Sequence, residues 1–158
     1  GIEPLPKSLN EAIAIAEGVS VVPAEGWSQT DSGEGYVTLS DDASLYYGEA
    51  FFPEGGVSSA DQVSGYLEYL TQDGSDVEIG AVEPVALGEG FDSAFGQAQW
   101  TASDSSGTNT FAVYTTITTR QSDGLTTYST VLFFPDYVDA TALGDDYVAM
   151  TNSLLSTM

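Results

Sequence analysis

Carboxylates are the most abundant ionisable groups in this sequence. Asp and Glu number 24 among 158 residues, against 2 Lys and Arg, so the formal net charge is −22. A glycosidase would need two carboxylates about 5–9 Å apart across a cleft. The adjacent pairs Asp41-Asp42 and Asp145-Asp146 instead fit a hairpin turn and the first turn of a helix, where acidic side chains are favoured. We therefore predict no catalytic residue at either pair.

Other catalytic chemistries lack their residue types. The chain contains no His and no Cys, which excludes Ser-His-Asp triads, thiol nucleophiles and the zinc or haem sites that use those ligands. The acidic turns at residues 31–34 and 73–76 do not have the spacing of an EF-hand loop. Two cations in the whole chain are too few for a nucleic-acid footprint or an anionic-lipid patch. We expect a protein that is not an enzyme, with no cofactor, no metal site, no nucleic-acid partner and no direct binding to a membrane.

Aromatic side chains are the remaining candidates for a functional surface. The chain has 9 Tyr, 7 Phe and 2 Trp. Where two aromatics are adjacent in a strand, one ring must point away from the core, because successive side chains point to opposite faces. Such outward rings are either covered by a helix or form an exposed patch that could bind a protein or a sugar. The candidate partner face consists of Tyr47, Phe51, Tyr114 and Phe133, together with Arg120.

Arg120 is the only cation of the predicted folded region, since Lys7 lies in a Pro-rich lead-in. It either pairs with a surface carboxylate, a weak interaction when exposed, or anchors an anionic group between sheet and helix. No acidic residue occurs between Asp104 and Asp123. We expect any binding face to lie on this acid-free part of the sheet.

Three segments have the 3.6-residue periodicity of an amphipathic helix. The first is predicted at residues 8–17, between a capping box at its start and Gly18 at its end. The clearest is predicted at residues 59–72, capped by Ser59 and stopped by Asp73-Gly74. The third is predicted at residues 140–157, where Gly144 should delay the regular helix to the following residue.

Alternating patterns predict strands at residues 19–22, 35–40 and 43–52, followed by a four-stranded meander at 77–134. A four-residue loop at 104–107 pairs Trp100 with Phe111. A two-residue turn at 123–124 pairs Val113 with Phe134. Both registers place the apolar side chains of the meander on one face, and a one-residue slip in either hairpin would separate them.

The first strand of this meander, predicted at residues 77–87, contains Pro84, which favours an edge or bulged strand with Ile79 and Val85 inward. No composition shift suggests a second domain after residue 7. The sequence therefore predicts a linker at 1–7 and a single α+β domain at 8–158, in which an antiparallel meander is flanked by helices.

The segment at residues 21–27, Val-Val-Pro-Ala-Glu-Gly-Trp, resembles the opening of PsbP-like domains, where a short strand reaches a Pro-x-x-Gly-Trp turn before a β-hairpin. The order of the predicted elements at 18–158 is similar to that family's α-β-α sandwich. The family includes photosystem accessory subunits, LpqN-type bacterial lipoproteins and membrane-anchored ectodomains. The resemblance implies a binding or scaffold role and provides no catalytic motif. A cystatin-like or NTF2-like curved sheet is the alternative fold.

The combined prediction is a non-enzymatic binding domain outside the bacterial cytoplasm, either at the cell surface or secreted. A surface rich in Ser, Thr, Gly and Tyr and poor in Lys favours that location, and the lead-in suggests a tether to a possible upstream anchor. The partner would be an unidentified protein or glycan. The alternative is a carbohydrate-binding or carbohydrate-active protein that uses exposed aromatics and paired carboxylates.

Overall fold

The computed structural model describes residues 11–158. Its elements are, in chain order, β1 (Ile13–Ala16), β2 (Val19–Val21), β3 (Ser28–Gly33), β4 (Tyr36–Ser40), β5 (Leu45–Phe51), α1 (Ser59–Thr71), β6 (Ser75–Ile79), β7 (Glu83–Pro84), β8 (Phe91–Asp104), β9 (Gly107–Arg120), β10 (Thr126–Phe133) and α2 (Ala140–Leu155).

An eight-stranded antiparallel sheet organises this part of the chain. Its strand order is β3-β4-β5-β10-β9-β8-β6, and β7 also pairs with β8. Strands β8, β9 and β10 form the predicted meander, and β5 returns to pair with β10. The predicted α+β class with an antiparallel sheet is therefore confirmed.

The two helices cover opposite faces of the sheet. On the α1 face, Val63 and Leu67 pack with Ala98, Val113 and Ile117. The α2 face carries the side chains that alternate with these, and it packs against α2 and the β1–β2 hairpin in a second core cluster. Each face therefore has its own apolar core.

The predicted helix at residues 8–17 is wrong over the residues that the structure describes, because Ile13–Ala16 is a strand that pairs with β2. Glu17 and Gly18 both have positive φ, 52° and 84°. A two-residue connection with two positive φ values is the turn that matches the twist of a β-hairpin. Gly18 thus serves a hairpin turn rather than a helix stop. Residues 8–10 of the prediction lie outside the described residues.

The other two helices form close to their predicted positions. The N-cap of α1 is Ser58 rather than Ser59, and its side chain accepts a hydrogen bond from the Asp61 N–H. Helix α2 is regular from Ala140, because Asp139 caps it by accepting from two backbone N–H groups. The expected delay at Gly144 does not occur.

The two meander hairpins differ in how well their registers were predicted. The β8–β9 register is confirmed, with Trp100 opposite Phe111. The β9–β10 register is shifted by two residues, so that Val113 faces Leu132 rather than Phe134. A two-residue shift preserves which face each side chain occupies. The apolar side chains therefore still share the α1 face.

The edges of the sheet are less regular than predicted. The single strand expected at residues 77–87 is divided into β6 and β7, and the β6–β8 register shifts between Ser75 and Glu78. The edge position suggested by Pro84 is confirmed. Ile79 is 42% exposed rather than inward. At the opposite edge, the fully exposed β3 was not predicted, because its polar sequence has no apolar alternation.

Candidate functional site

The five residues of the predicted partner face do not form one surface. Tyr47 is opposite Thr130 in β10, whereas Tyr114 is opposite the next residue, Val131. Because neighbouring residues of a strand point to opposite faces, Tyr47 and Phe51 lie on the α1 face, and Tyr114 and Phe133 lie on the α2 face. The sequence thus marks two separate surfaces.

Arg120 is held by groups of the chain itself. Its Nε and Nη2 donate to the two carboxylate oxygens of Asp123 at 3.1 and 2.8 Å, and its Nη1 donates to the Met158 carbonyl at 2.7 Å. Hydrogen bonds from Arg120 and from the Leu125 N–H lower the pKa of Asp123 to about 2. The same carboxylate thus organises the loop between β9 and β10.

An apolar groove lies between α2 and strand β8. We call it the α2 groove; it has a volume of about 360 Å³. Its wall and floor are lined by Val85, Leu87, Phe95, Tyr114, Thr116, Gly144, Tyr147, Val148, Thr151, Asn152 and Leu155. None of these side chains is charged.

Three aromatic rings form the floor of the α2 groove. The ring centroids of Phe95 and Tyr114 are 6.0 Å apart, and that of Tyr147 is 6.5 Å from Phe95 and 5.8 Å from Tyr114. Phe95 belongs to strand β8, Tyr114 belongs to strand β9, and Tyr147 belongs to helix α2. The groove therefore depends on the contact between helix and sheet.

A second cavity, of about 460 Å³, adjoins the α2 groove at Tyr114. Tyr114 lines both cavities, and Phe133, Gln97 and Gln99 line the second, beyond the start of α2. Two of the predicted partner residues therefore line these neighbouring cavities. The acid-free stretch of the sequence covers β9, whereas β8 contains Asp92 and Asp104, and Glu78 lines the second cavity.

Below α2, buried hydroxyl groups form a continuous hydrogen-bond network. Ser129 Oγ lies 2.7 Å from the Tyr46 hydroxyl and 2.9 Å from Thr151 Oγ1. The Tyr147 hydroxyl donates to the Ser129 carbonyl at 2.8 Å and lies 2.7 Å from Thr116 Oγ1. These bonds satisfy polar groups that would be costly if buried alone. This hydroxyl network therefore holds α2 against the sheet.

Burial also controls the acid–base chemistry of this network. Desolvation raises the pKa of both Tyr46 and Tyr147 well above the ordinary tyrosine value. A phenol with a raised pKa stays protonated and is a poor general base. The network is thus suited to structural support.

We expect the free energy of unfolding to fall as pH rises above about 10, the ordinary tyrosine pKa. In that range the unfolded chain releases the Tyr46 and Tyr147 protons while the folded chain retains them, so deprotonation favours unfolding. Below that pH both tyrosines should contribute their full stabilisation to the folded state. Urea denaturation at increasing alkaline pH measures the effect. The decrease in unfolding free energy per pH unit should be smaller for Tyr147→Phe than for the unmodified chain. It should be unchanged for Tyr137→Phe, since Tyr137 is 77% exposed. Equal decreases in the unmodified chain and both variants would contradict this prediction.

A second surface lies on the α1 face beside the helix. We call it the tyrosine face; it consists of Tyr36, Tyr47, Glu49, Phe51, Tyr66 and Tyr128, all half-buried. Tyr36 stacks on Tyr47 with centroids 5.8 Å apart, and Tyr128 contacts Tyr66 edge-on at 5.0 Å. Phe51 lies 5.6 Å from Tyr128.

Glu49 lies among these rings. It lies opposite Tyr36 in β4 and Tyr128 in β10, and burial together with the Glu49 charge raises the pKa of Tyr47. Burial is also the main cause of the raised pKa values of Tyr66 and Tyr128, to which the Glu49 charge contributes. One carboxylate thus acts electrostatically on three phenol rings.

Sequence reasoning identified Tyr47 and Phe51 but missed the other four residues of the tyrosine face. Glu49 could have been found, because it lies two residues from each of them and must share their face in a strand. Tyr66 has the helical spacing of Val63 and Leu67, so the sequence pattern predicts it on the buried side of α1. Its position at the edge of the helix contact depends on tertiary packing.

Among residues 11–158, no group of three or more His, Cys, Asp or Glu side chains is arranged to hold a metal ion. No helix in the same range is long and apolar enough to cross a membrane. No protein-family model matches the chain, and comparison with curated proteins finds no significant match. The class that the structure defines is an α+β protein with an antiparallel sheet between two helices.

Proposed function

We propose that this chain is a non-catalytic binding domain whose α2 groove holds a small, uncharged, apolar molecule. The observation that carries this proposal is the groove lining, which is almost entirely apolar and includes three aromatic rings. Its volume of about 360 Å³ falls within the usual range for small-molecule pockets. Tyr114 marks the site in the sequence.

The polar groups of the α2 groove favour an apolar ligand over a sugar. A sugar needs many hydrogen-bonding partners, but the hydroxyls of Thr116 and Thr151 are already paired with Tyr147 and Ser129. The Tyr147 hydroxyl is paired with Thr116 and Ser129, and Asn152 and the Tyr114 hydroxyl are the other polar side-chain groups in the lining. An anionic ligand is disfavoured by the net charge of −22. Burial of apolar surface is therefore the main driving force.

The wider proposal places this domain outside the bacterial cytoplasm, tethered through its N-terminal lead-in to an upstream anchor. The resemblance at residues 21–27 and the Lys-poor composition support that location. The placement of the helices on opposite faces of the sheet supports a PsbP-like α-β-α sandwich. The absence of His and Cys from the sequence supports a binding role without catalysis.

Filling the α2 groove from Gly144 tests the proposal. A Cβ added at Gly144 meets no atom within 4 Å, and this residue lines the groove. In Gly144→Leu we expect at least about a tenfold loss of affinity for a neutral fluorescent probe such as phenylnaphthylamine. Helix propensity should raise the free energy of unfolding by up to about 1 kcal/mol. Fluorescence titration and urea denaturation give the two values.

Gly65→Leu is the matched control for this substitution. Gly65 lies in α1, and a Cβ added there also meets no atom within 4 Å. We expect a similar gain in helix propensity with unchanged probe affinity. Unchanged affinity in Gly144→Leu, or an equal loss in both variants, would contradict binding in the α2 groove.

Carbohydrate binding is the second candidate function, and the tyrosine face favours it. Sugars stack on aromatic rings and donate hydrogen bonds to carboxylates, and this surface offers both. A panel of neutral oligosaccharides, followed by the NMR signals of the tyrosine rings, tests this candidate. Shifts confined to Tyr47 and Tyr128 would support it.

A further inference from the structure

We propose that the tyrosine face binds a small alkylammonium ion, with the cation seated among the rings next to Glu49. This site is separate from the α2 groove, because the two surfaces lie on opposite faces of the sheet. The proposal therefore does not depend on a ligand in the groove.

The arrangement of the rings provides the first part of the argument. Tyr36, Tyr47, Tyr66 and Tyr128 come from three strands and one helix, yet they form two close ring pairs on one face, Tyr36–Tyr47 at 5.8 Å and Tyr66–Tyr128 at 5.0 Å. Aromatic faces attract cations through the negative potential of the ring face, most strongly when several rings surround the charge. Tertiary packing thus assembles rings that the sequence disperses.

The position of these rings leaves them accessible. Helix α1 packs over β8 and β9, whereas the tyrosine face is built on β4, β5 and β10. All of its rings are half-buried. On this face, α1 packs mainly on β8 and β9 and reaches β10 through Tyr66 and Gln62. A small ligand can therefore reach the rings from solvent.

Charge complementarity identifies the occupant. Glu49 is half-buried and lies opposite Tyr36 in β4 and Tyr128 in β10, so its carboxylate places a negative charge beside the rings. Arg120, the only Lys or Arg among residues 11–158, lies on the opposite face and pairs with Asp123. The net charge of −22 raises the local concentration of cations around the whole chain. A cation with an apolar surface fits this combination better than a neutral sugar.

The ring hydroxyls favour an alkylammonium ion over a metal ion. Hard metal cations need several oxygen ligands, and Glu49 is the only carboxylate of the tyrosine face. The Tyr128 hydroxyl is already engaged, since it donates to Gln62 Oε1 at 3.3 Å. The faces of the tyrosine rings and the charge of Glu49 remain available to bind a ligand. These suit a weakly hydrated cation that carries methyl groups.

The test compares choline with dimethylbutanol, its neutral carbon isostere, by NMR titration of the tyrosine ring signals. The two ligands have the same shape, so a difference reports the charge. We expect choline to shift the signals of Tyr47, Tyr66 and Tyr128 with at least about tenfold higher affinity than the isostere. Added NaCl should weaken binding of choline and leave the isostere unchanged.

Two variants separate the charge from the rings. Glu49→Gln keeps the shape of the side chain and removes its charge, and we expect it to weaken choline binding at least about fivefold. Tyr128→Leu removes one ring face and should weaken binding by a similar factor. Glu83→Gln, with the same charge change at an exposed position in β7, is the matched control and should bind as the unmodified chain does.

Three results would overturn the proposal. One is equal affinity for choline and its neutral isostere, which would indicate an apolar site. Another is unchanged choline affinity in Glu49→Gln. The third is a response of the same ring signals to neutral oligosaccharides but not to choline, which would assign this surface to carbohydrate. Gly144→Leu should leave choline binding unchanged, so failure of the α2 groove and failure of the tyrosine face are distinguishable.

Discussion

Trp27→Ala is expected to lower the free energy of unfolding by about 3–5 kcal/mol. Trp27 is 2% exposed and belongs to the core cluster on the α2 face. Its Nε1 donates to Asp146 Oδ2 of α2 at 3.0 Å, and its own backbone N–H closes the turn at Ala24. The indole thus links the segment after the β1–β2 hairpin to α2. Removing it leaves a cavity and breaks that link.

Urea denaturation of two further variants separates the cavity from the hydrogen bond. Trp27→Phe keeps a large ring and loses the donor, so we expect a smaller loss of about 1–3 kcal/mol. Asp146→Asn retains an acceptor oxygen for the indole N–H, so we expect its loss of unfolding free energy to be smaller than that of Trp27→Phe. A loss below about 1 kcal/mol in Trp27→Ala would be too small for a buried core aromatic and would contradict this role of Trp27.

Gly96→Val is expected to lower the free energy of unfolding by about 3 kcal/mol, the upper end of the range for overpacking a core. A Cβ at Gly96 would lie 2.4 Å from Val63 Cγ1 and 2.9 Å from Leu67 Cδ1. Both side chains are fully buried on the inner side of α1. Neither can move aside without displacing the helix. Gly96 therefore sets the distance at which α1 packs on strand β8.

Gly80→Val is the matched control. A Cβ at Gly80 meets the flexible side chain of Gln97 at 3.2 Å near the sheet edge, so we expect a change below about 1 kcal/mol. Val63→Ala should partly rescue Gly96→Val, because it removes the atom that clashes; a double-mutant cycle measures this coupling. Strictly additive losses would contradict the close approach of α1 at Gly96.

The elements that were predicted well have strong local patterns. Helix α1 has apolar residues at helical spacing together with clear start and stop signals. The β8–β9 hairpin has alternating residues on both strands and a short loop. In both cases the pattern is long enough to exclude the alternative secondary structure.

The elements that were predicted wrongly have patterns with more than one solution. Residues 13–16 alternate Ile and Ala, which fits one face of a helix and also a short strand. The turn at residues 121–124 places Asp123 to bond both Arg120 and Leu125. That arrangement shifts the strand pairing by two residues, and a two-residue shift leaves the face pattern unchanged. Local sequence does not distinguish these cases.

The charge of −22, the lack of His and Cys and the alternation of side chains were determined by the sequence itself. Alternation assigns each side chain to one of two faces but does not say what covers that face. Only the tertiary structure decided that α2 covers the buried hydroxyl network and that an apolar groove remains beside Tyr114. It also decided that Tyr47 lies on the opposite face, next to Glu49. The physical reason is that coverage depends on contacts between residues far apart in the chain, such as Tyr147 with Thr116 and Trp27 with Asp146.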